Sequence, residues 1–195
     1  LGVTVPFRNS IGLAIADEDN NFKRIYDGPI IDRSITEPNF VASSCVIKDQ
    51  GIWKMWYLSC TSWKIINKKV THKYHIKYAE SKDGINWNRD GLIAIDYKDI
   101  NEYAISRPCV VRDQDIWKMW YSFRGDKYKI GYAESADGKK WNRLDHEVGI
   151  SASDSGWDSD MIEYPFVFKH KDDLYMLYNG NGYGLSGFGL AILEK

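Results

Sequence analysis

Three glutamates stand ahead of proline-marked apolar segments: Glu37 before Pro38, Glu102 ahead of Ser106-Arg107-Pro108, and Glu163 before Pro165. Carboxyls gathered in one cleft suit glycosidic cleavage. One is held protonated and donates to the leaving oxygen; the other is ionised and attacks the sugar or activates water. Crowding like charges raises one pKa and so separates the two roles. Each glutamate has an alternative place, in a solvated loop or paired with a nearby arginine. Arg8 and Arg107 offer forked donors to a carboxylate or to sugar hydroxyls, and a structural ion pair suits them equally well. Trp63 ends Ser59-Cys60-Thr61-Ser62-Trp63, read here as a loop at a channel mouth, and it is a candidate stacking platform for a sugar ring. Asn179, Asn181 and Tyr183 occupy the equivalent loop of a later unit. Gly180, Gly182 and Gly184 beside them either leave the backbone open to a ligand or shape a turn.

Other reactive residues lead elsewhere. Glu80 and Glu134 recur identically and read as structural, and Asp83-Gly84 and Asp137-Gly138 read as turns. Neither the four histidines nor Asp154 and Asp158 show metal-ligand spacing, so no metal and no cofactor is expected. Cys45, Cys60 and Cys109 are an odd set, read as free thiols in a reducing compartment. With no signal peptide visible, a cytoplasmic location is expected, and secretion stays open if the N-terminus is truncated. A net charge of −1 gives no basic field for nucleic acid. No apolar run approaches the roughly 20 residues that cross a bilayer, so no membrane partner is expected.

The elements that must position these groups repeat along the chain. Cys45-Val46-Ile47-Lys48-Asp49-Gln50 runs on to Trp53-Lys54-Met55-Trp56-Tyr57, and Cys109-Val110-Val111-Arg112-Asp113-Gln114 runs on to Trp117-Lys118-Met119-Trp120-Tyr121. Phe166-Val167-Phe168-Lys169 with Leu174-Tyr175-Met176-Leu177-Tyr178 is a third copy. Tyr78-Ala79-Glu80-Ser81 and Tyr132-Ala133-Glu134-Ser135 follow the first two, each leading through Asp-Gly to a Trp. Period-two patterning, tight turns and the near absence of helical periodicity predict an all-β chain. Four short antiparallel strands per unit describe a β-propeller blade. The blades expected are 37–97 and 102–148, with partial ones at 7–32 and 162–194, all within a single domain over 1–195.

Pro6-Phe7-Arg8-Asn9-Ser10-Ile11-Gly12-Leu13-Ala14, Glu37-Pro38, Trp53-Lys54-Met55-Trp56-Tyr57, Tyr78-Ala79-Glu80-Ser81, Gly156-Trp157-Asp158 and Glu163-Tyr164-Pro165 together resemble the five-bladed propeller superfamily of glycoside hydrolases. That superfamily includes arabinanases, xylosidases, invertases and levansucrases, and the resemblance is nearest to an uncharacterised bacterial branch. It implies an active site of three carboxylates on the inner strands, with Glu37 at the position of the general acid. The Asp of the first blade has no counterpart in this sequence. An open arc leaves costly sheet edges, so a homo-oligomer or a missing N-terminal segment is expected. Three functions compete: a glycoside hydrolase, a non-catalytic carbohydrate-binding module, and a propeller scaffold for protein partners.

Overall fold

A computed structural model describes residues 7–193, and strands dominate it. β1 (Ala14–Ala16) and β2 (Phe22–Arg24) form a small hairpin. β3 (Val41–Asp49), β4 (Ile52–Ile66) and β5 (Lys69–Ser81) form an antiparallel meander, with β6 (Trp87–Asn88) and β7 (Ile93–Ile95) both pairing with β5. β8 (Ala104–Asp113), β9 (Ile116–Arg124), β10 (Tyr128–Ser135) and β11 (Asn142–Arg143) repeat that order. The two meanders are linked by one parallel pair, Tyr74 with Ala104. β12 (Glu163–His170), β13 (Asp173–Asn179) and β14 (Phe188–Ile192) make a third antiparallel sheet.

Turn chemistry sets the register. β3 and β4 are joined by Gln50-Gly51, both with positive φ (48° and 82°), the backbone twist that a two-residue hairpin favours. The Asp83 carboxylate accepts from Ser81 Oγ and from the amides of Ile85 and Asn86 at 2.8–2.9 Å. Asp137 does the same with Ser135, Lys139 and Lys140. Each turn carbonyl then accepts from the indole of the outer tryptophan at 3.0 Å, Gly84 from Trp87 and Gly138 from Trp141.

The sheets stack face to face, so their central strands are buried on both sides. The alternation read in Trp53–Tyr57 is therefore not apolar-in, polar-out: Met55, Trp56 and Tyr57 are all essentially inaccessible. Trp56 packs with Ile105, Trp117, Met119 and Tyr121 of the next sheet, while Met55 and Tyr57 pack with Ile31 and Val41 behind. Trp120 faces onward to Ile162, Val167 and Met176. Trp56 also donates to Gly138 O at 2.8 Å, tying one meander to the turn of the next. Between sheets, Cys45 Sγ accepts from Val110 N and Cys109 Sγ from Val167 N, and all three cysteines are free.

One irregularity recurs in β3, β8 and β12. Their ladders shift between Ala42 and Cys45, between Ser106 and Cys109, and between Glu163 and Phe166. At each shift sits a non-glycine residue with positive φ: Ser43 (46°), Arg107 (52°) and Tyr164 (57°). These are β-bulges, which re-aim a side chain out of the sheet's alternation. Pro108 and Pro165 follow immediately, where a bulge tolerates the missing N–H.

The bulges correct the alignment of the glutamates. Glu163 lies in its strand, and its structural counterparts are Ser106 and Ala42. Glu37 and Glu102 precede β3 and β8 in loops. Pro38 lies outside the strand, so its spacing to Glu37 imitated a bulge that falls five residues later.

Candidate functional site

Glu163 opens β12 with no exposed surface, and neither carboxyl oxygen has a hydrogen-bond partner. Burial pushes its pKa up to about 7, against the opposing pull of the Arg124 and Arg107 guanidiniums. A carboxyl so placed is a proton donor near neutrality. Of the groups that share its electrostatic field, Arg124, Tyr128 and Tyr164 line one cleft of about 660 Å³, and Arg107 lies outside that lining.

The cleft's architecture comes from unequal hairpins. β4 and β5 run for 15 and 13 residues, whereas β9 and β10 run for 9 and 8. The added length is one wall, carrying Ser62, Lys64, Val70, Thr71, His72 and Lys73. The opposite wall is aromatic. Tyr74 and Tyr128 share a hydroxyl hydrogen bond of 2.8 Å, and burial pushes Tyr74 up to about 12. Arg124 donates to Tyr183 OH at 2.9 Å and stacks over Tyr103 and Tyr128 at 5.7 and 5.3 Å. Arg107 stands 4.8 Å over the ring of Tyr164, from the neighbouring bulge. Two buried nitrogens, Arg124 Nε and His72 Nδ1, have no partner. Burial, followed by Arg124, holds the His72 imidazole below its ordinary pKa, so it is neutral. The site thus offers a proton donor, guanidinium forks and several ring faces, a set suited to a polyhydroxylated ligand.

Of the residues singled out from sequence, Tyr183 lines this cleft, Arg107 stands beside it over Tyr164, and Glu163 is buried behind it. Glu37 is not among them. It is buried and saturated, accepting from Tyr57 OH (3.0 Å) and Ser59 Oγ (2.6 Å) and paired with Arg89 (3.2 Å) and Lys77 (3.5 Å). Glu102 takes both prongs of Arg143 at 2.8 and 3.0 Å, and Arg143 also holds Asp145, which accepts from Tyr121 OH. The arginine after each outer tryptophan thus closes on a buried carboxylate and the tyrosine of the second strand. These two glutamates take the ion-paired alternative, knotting the loop before the first strand to the outer strand.

Arg8 forms an exposed pair with Asp32 at 2.8 Å. The Arg33 backbone amide, then Ser10 and Arg8, hold Asp32 down at about 2. Trp63 is in β4, paired with His72, rather than on a loop. Phe7, Phe40 and His72 surround it at 5.1–5.5 Å, so it backs the cleft wall instead of standing free. Asn181 Oδ1 accepts from the amides of Asp160 and Met161, and Asn179 donates to Tyr183 O. Both hold the loop that presents Tyr183. Glycine is required at 180 because a Cβ would come within 2.4 Å of the Trp157 ring, which is a packing reason.

Sequence reading missed Arg124, Tyr128, Tyr164, Tyr74 and His72. The available signal was departure from the repeat: Ser43, Arg107 and Tyr164 differ at equivalent places, as do the ends of the second hairpin strands.

No protein-family model matches the chain. Two proteins from strains of Mycobacterium tuberculosis, the uncharacterised proteins MT1551 and Rv1502, are 43% and 42% identical over all 195 residues. The chain spans 64% of the length of each. A solved glycoside hydrolase superposes with a TM-score of 0.69 at 20% identity, covering 96% of this chain and 57% of its own. A family 117 glycoside hydrolase of Zobellia galactanivorans gives 0.63 at 19%, over 80% of this chain and 52% of that one. A sucrose-6-phosphate hydrolase from Lactobacillus gasseri gives 0.64 at 16%, over 83% and 32%. Identities this low speak to fold alone. What the chain shares with these proteins is the nearly all-β, propeller-type fold of glycoside hydrolases.

Proposed function

We propose that the chain carries the acid side of a glycoside-hydrolysing site, with Glu163 as the group that protonates the leaving oxygen. The observation that carries this reading is a wholly buried carboxyl, unpartnered at both oxygens and raised to about 7, set behind a roomy aromatic cleft. A general acid must hold its proton near the working pH, and burial without a donor is the simplest way to do so. Cleavage also needs an ionised carboxyl. The other two candidates, Glu37 and Glu102, are tied up in ion pairs, so the second carboxyl comes from outside this cleft: from further sequence of a longer protein, or from a second copy. In this reading the arrangement is a partial five-bladed propeller, with whole blades over 37–97 and 102–148, incomplete ones over 7–32 and 162–194, and sugar as the ligand.

The test is hydrolysis of a panel of aryl glycosides by the chain and by Glu163→Gln. General-acid loss lowers kcat by about 10²–10⁴. Equal turnover by the variant, with its fold verified by circular dichroism, would remove Glu163 from the role. A second reading, sugar binding without turnover, draws on the absence of any acidic residue among those lining the cleft. It predicts saturable binding and no released aglycone.

A further inference from the structure

The cleft also carries an excess of positive charge. Lys64, Lys73 and Arg124 line it, and Arg107 flanks it. None of these four forms a salt bridge among the described residues, whereas ten other lysines and arginines do, Arg89 and Arg143 among them. The chain as a whole is almost neutral at −1. No acidic residue lines the cleft to match its cations, and the neighbouring Glu163 carboxyl holds its proton near neutrality. The Arg124 Nε and His72 Nδ1 nitrogens are buried without partners. An orphaned buried donor is costly unless something fills its place, and a concave wall of one sign focuses its field on a ligand of the other.

We infer that the cleft is built for a sugar bearing a negatively charged group, a carboxylate or a phosphate, seated between Arg124 and the two lysines while the rings of Tyr128, Tyr164 and Tyr183 hold the apolar part. This rests on the reading of the cleft as a sugar site and deepens it. The two lysines belong to the extra length of the β4–β5 hairpin, so the charge preference and the wall that encloses the ligand arise from the same added segment.

Calorimetric titration of the whole chain tests it with four paired probes: galacturonic acid against galactose, and glucose 6-phosphate against glucose, with inorganic phosphate alone as the control. The acidic member of one pair binds at least about tenfold tighter than its neutral parent. The advantage shrinks in raised salt and disappears in the Lys64→Gln, Lys73→Gln double variant, whose positions are solvent-facing enough to leave the fold intact. Which pair shows it tells carboxylate from phosphate. Neutral parents binding equally well, no probe binding, an advantage that survives the double variant, or inorganic phosphate binding as tightly as the sugar phosphate would each overturn the inference. Failure here is separable from failure of the hydrolytic reading. Glu163-dependent cleavage of neutral aryl glycosides without any charge preference removes only the anion preference. Charged-sugar binding with no cleavage removes only the hydrolysis.

Discussion

Replacing Glu163 by Gln should make the protein's stability less sensitive to pH, and the size of the effect follows from its burial. The ordinary carboxyl value is 4.5 and the folded value is about 7. A group whose pKa is raised on folding binds its proton more tightly in the native state. Its contribution is therefore complete below the unfolded value and is lost as pH rises through the folded one. Between about pH 5 and about pH 8 those two values amount to a loss of about 2–3 kcal/mol from this one side chain. Glutamine has nearly the same shape and no titration. Urea unfolding of both proteins at the two pH values gives a double difference in which every other titrating group cancels. Wild type should lose about 2–3 kcal/mol more than the variant, equivalent to roughly 4–12 °C in Tm for a chain of this size. A double difference below about 0.5 kcal/mol, or one of opposite sign, would mean that Glu163 finds donors or water when folded, and the argument for a resident proton would fall.

Three further outcomes follow from the same contacts. Arg143→Ala leaves the buried Glu102 and the half-buried Asp145 without their cation and should cost about 3–5 kcal/mol in denaturant unfolding, whereas Arg8→Ala removes only an exposed pair and should cost under about 1 kcal/mol. Gly131→Ala places a methyl 2.5 Å from the Tyr121 ring and 2.7 Å from Asp145, an overpacking worth about 1–3 kcal/mol; Gly12→Ala, with open space around it, should stay within about 0.5 kcal/mol. Burial pushes the Cys60 and Cys45 thiols up to about 11 and raises Cys109 as well. Iodoacetamide at neutral pH should therefore leave the native protein largely unlabelled and modify all three cysteines in denaturant, as mass spectrometry would show.

Much of the fold is written locally. Ser81-x-Asp83-Gly84 and Ser135-x-Asp137-Gly138 specify turns by their own hydrogen bonds, and Gln50-Gly51 by its positive φ angles, so their strands are readable without tertiary context. The site is less legible because it depends on register. Glu37 and Glu163 both stand near a proline, but only Glu163 falls within a bulged strand; the difference is one of pairing partners, which the local sequence does not encode. Trp63 follows the repeat's Trp-Lys-Met-Trp-Tyr strand at the point where a loop is expected, yet β-branched and aromatic residues on both sides of Asn67-Lys68 continue the hairpin to its tip. The partners of Glu37 lie 20 to 52 residues away, at Tyr57, Ser59, Lys77 and Arg89, so its neutralisation becomes visible only once the sheet is assembled.

The left-handed residue in each first strand has a consequence for how this scaffold acquires new chemistry. Serine, arginine and tyrosine share almost the same backbone setting at 43, 107 and 164, which shows that the ladder shift, not the side chain, holds the conformation. Such a position behaves as a socket. The residue in it, and the one before it, can be exchanged for groups of different charge and size while the sheets behind keep their indole and thiol contacts. Diversification along this line needs no refolding and little repacking. Ala42, Ser43, Ser106, Arg107 and Tyr164 are therefore the places where a designer would write a second carboxyl into this frame.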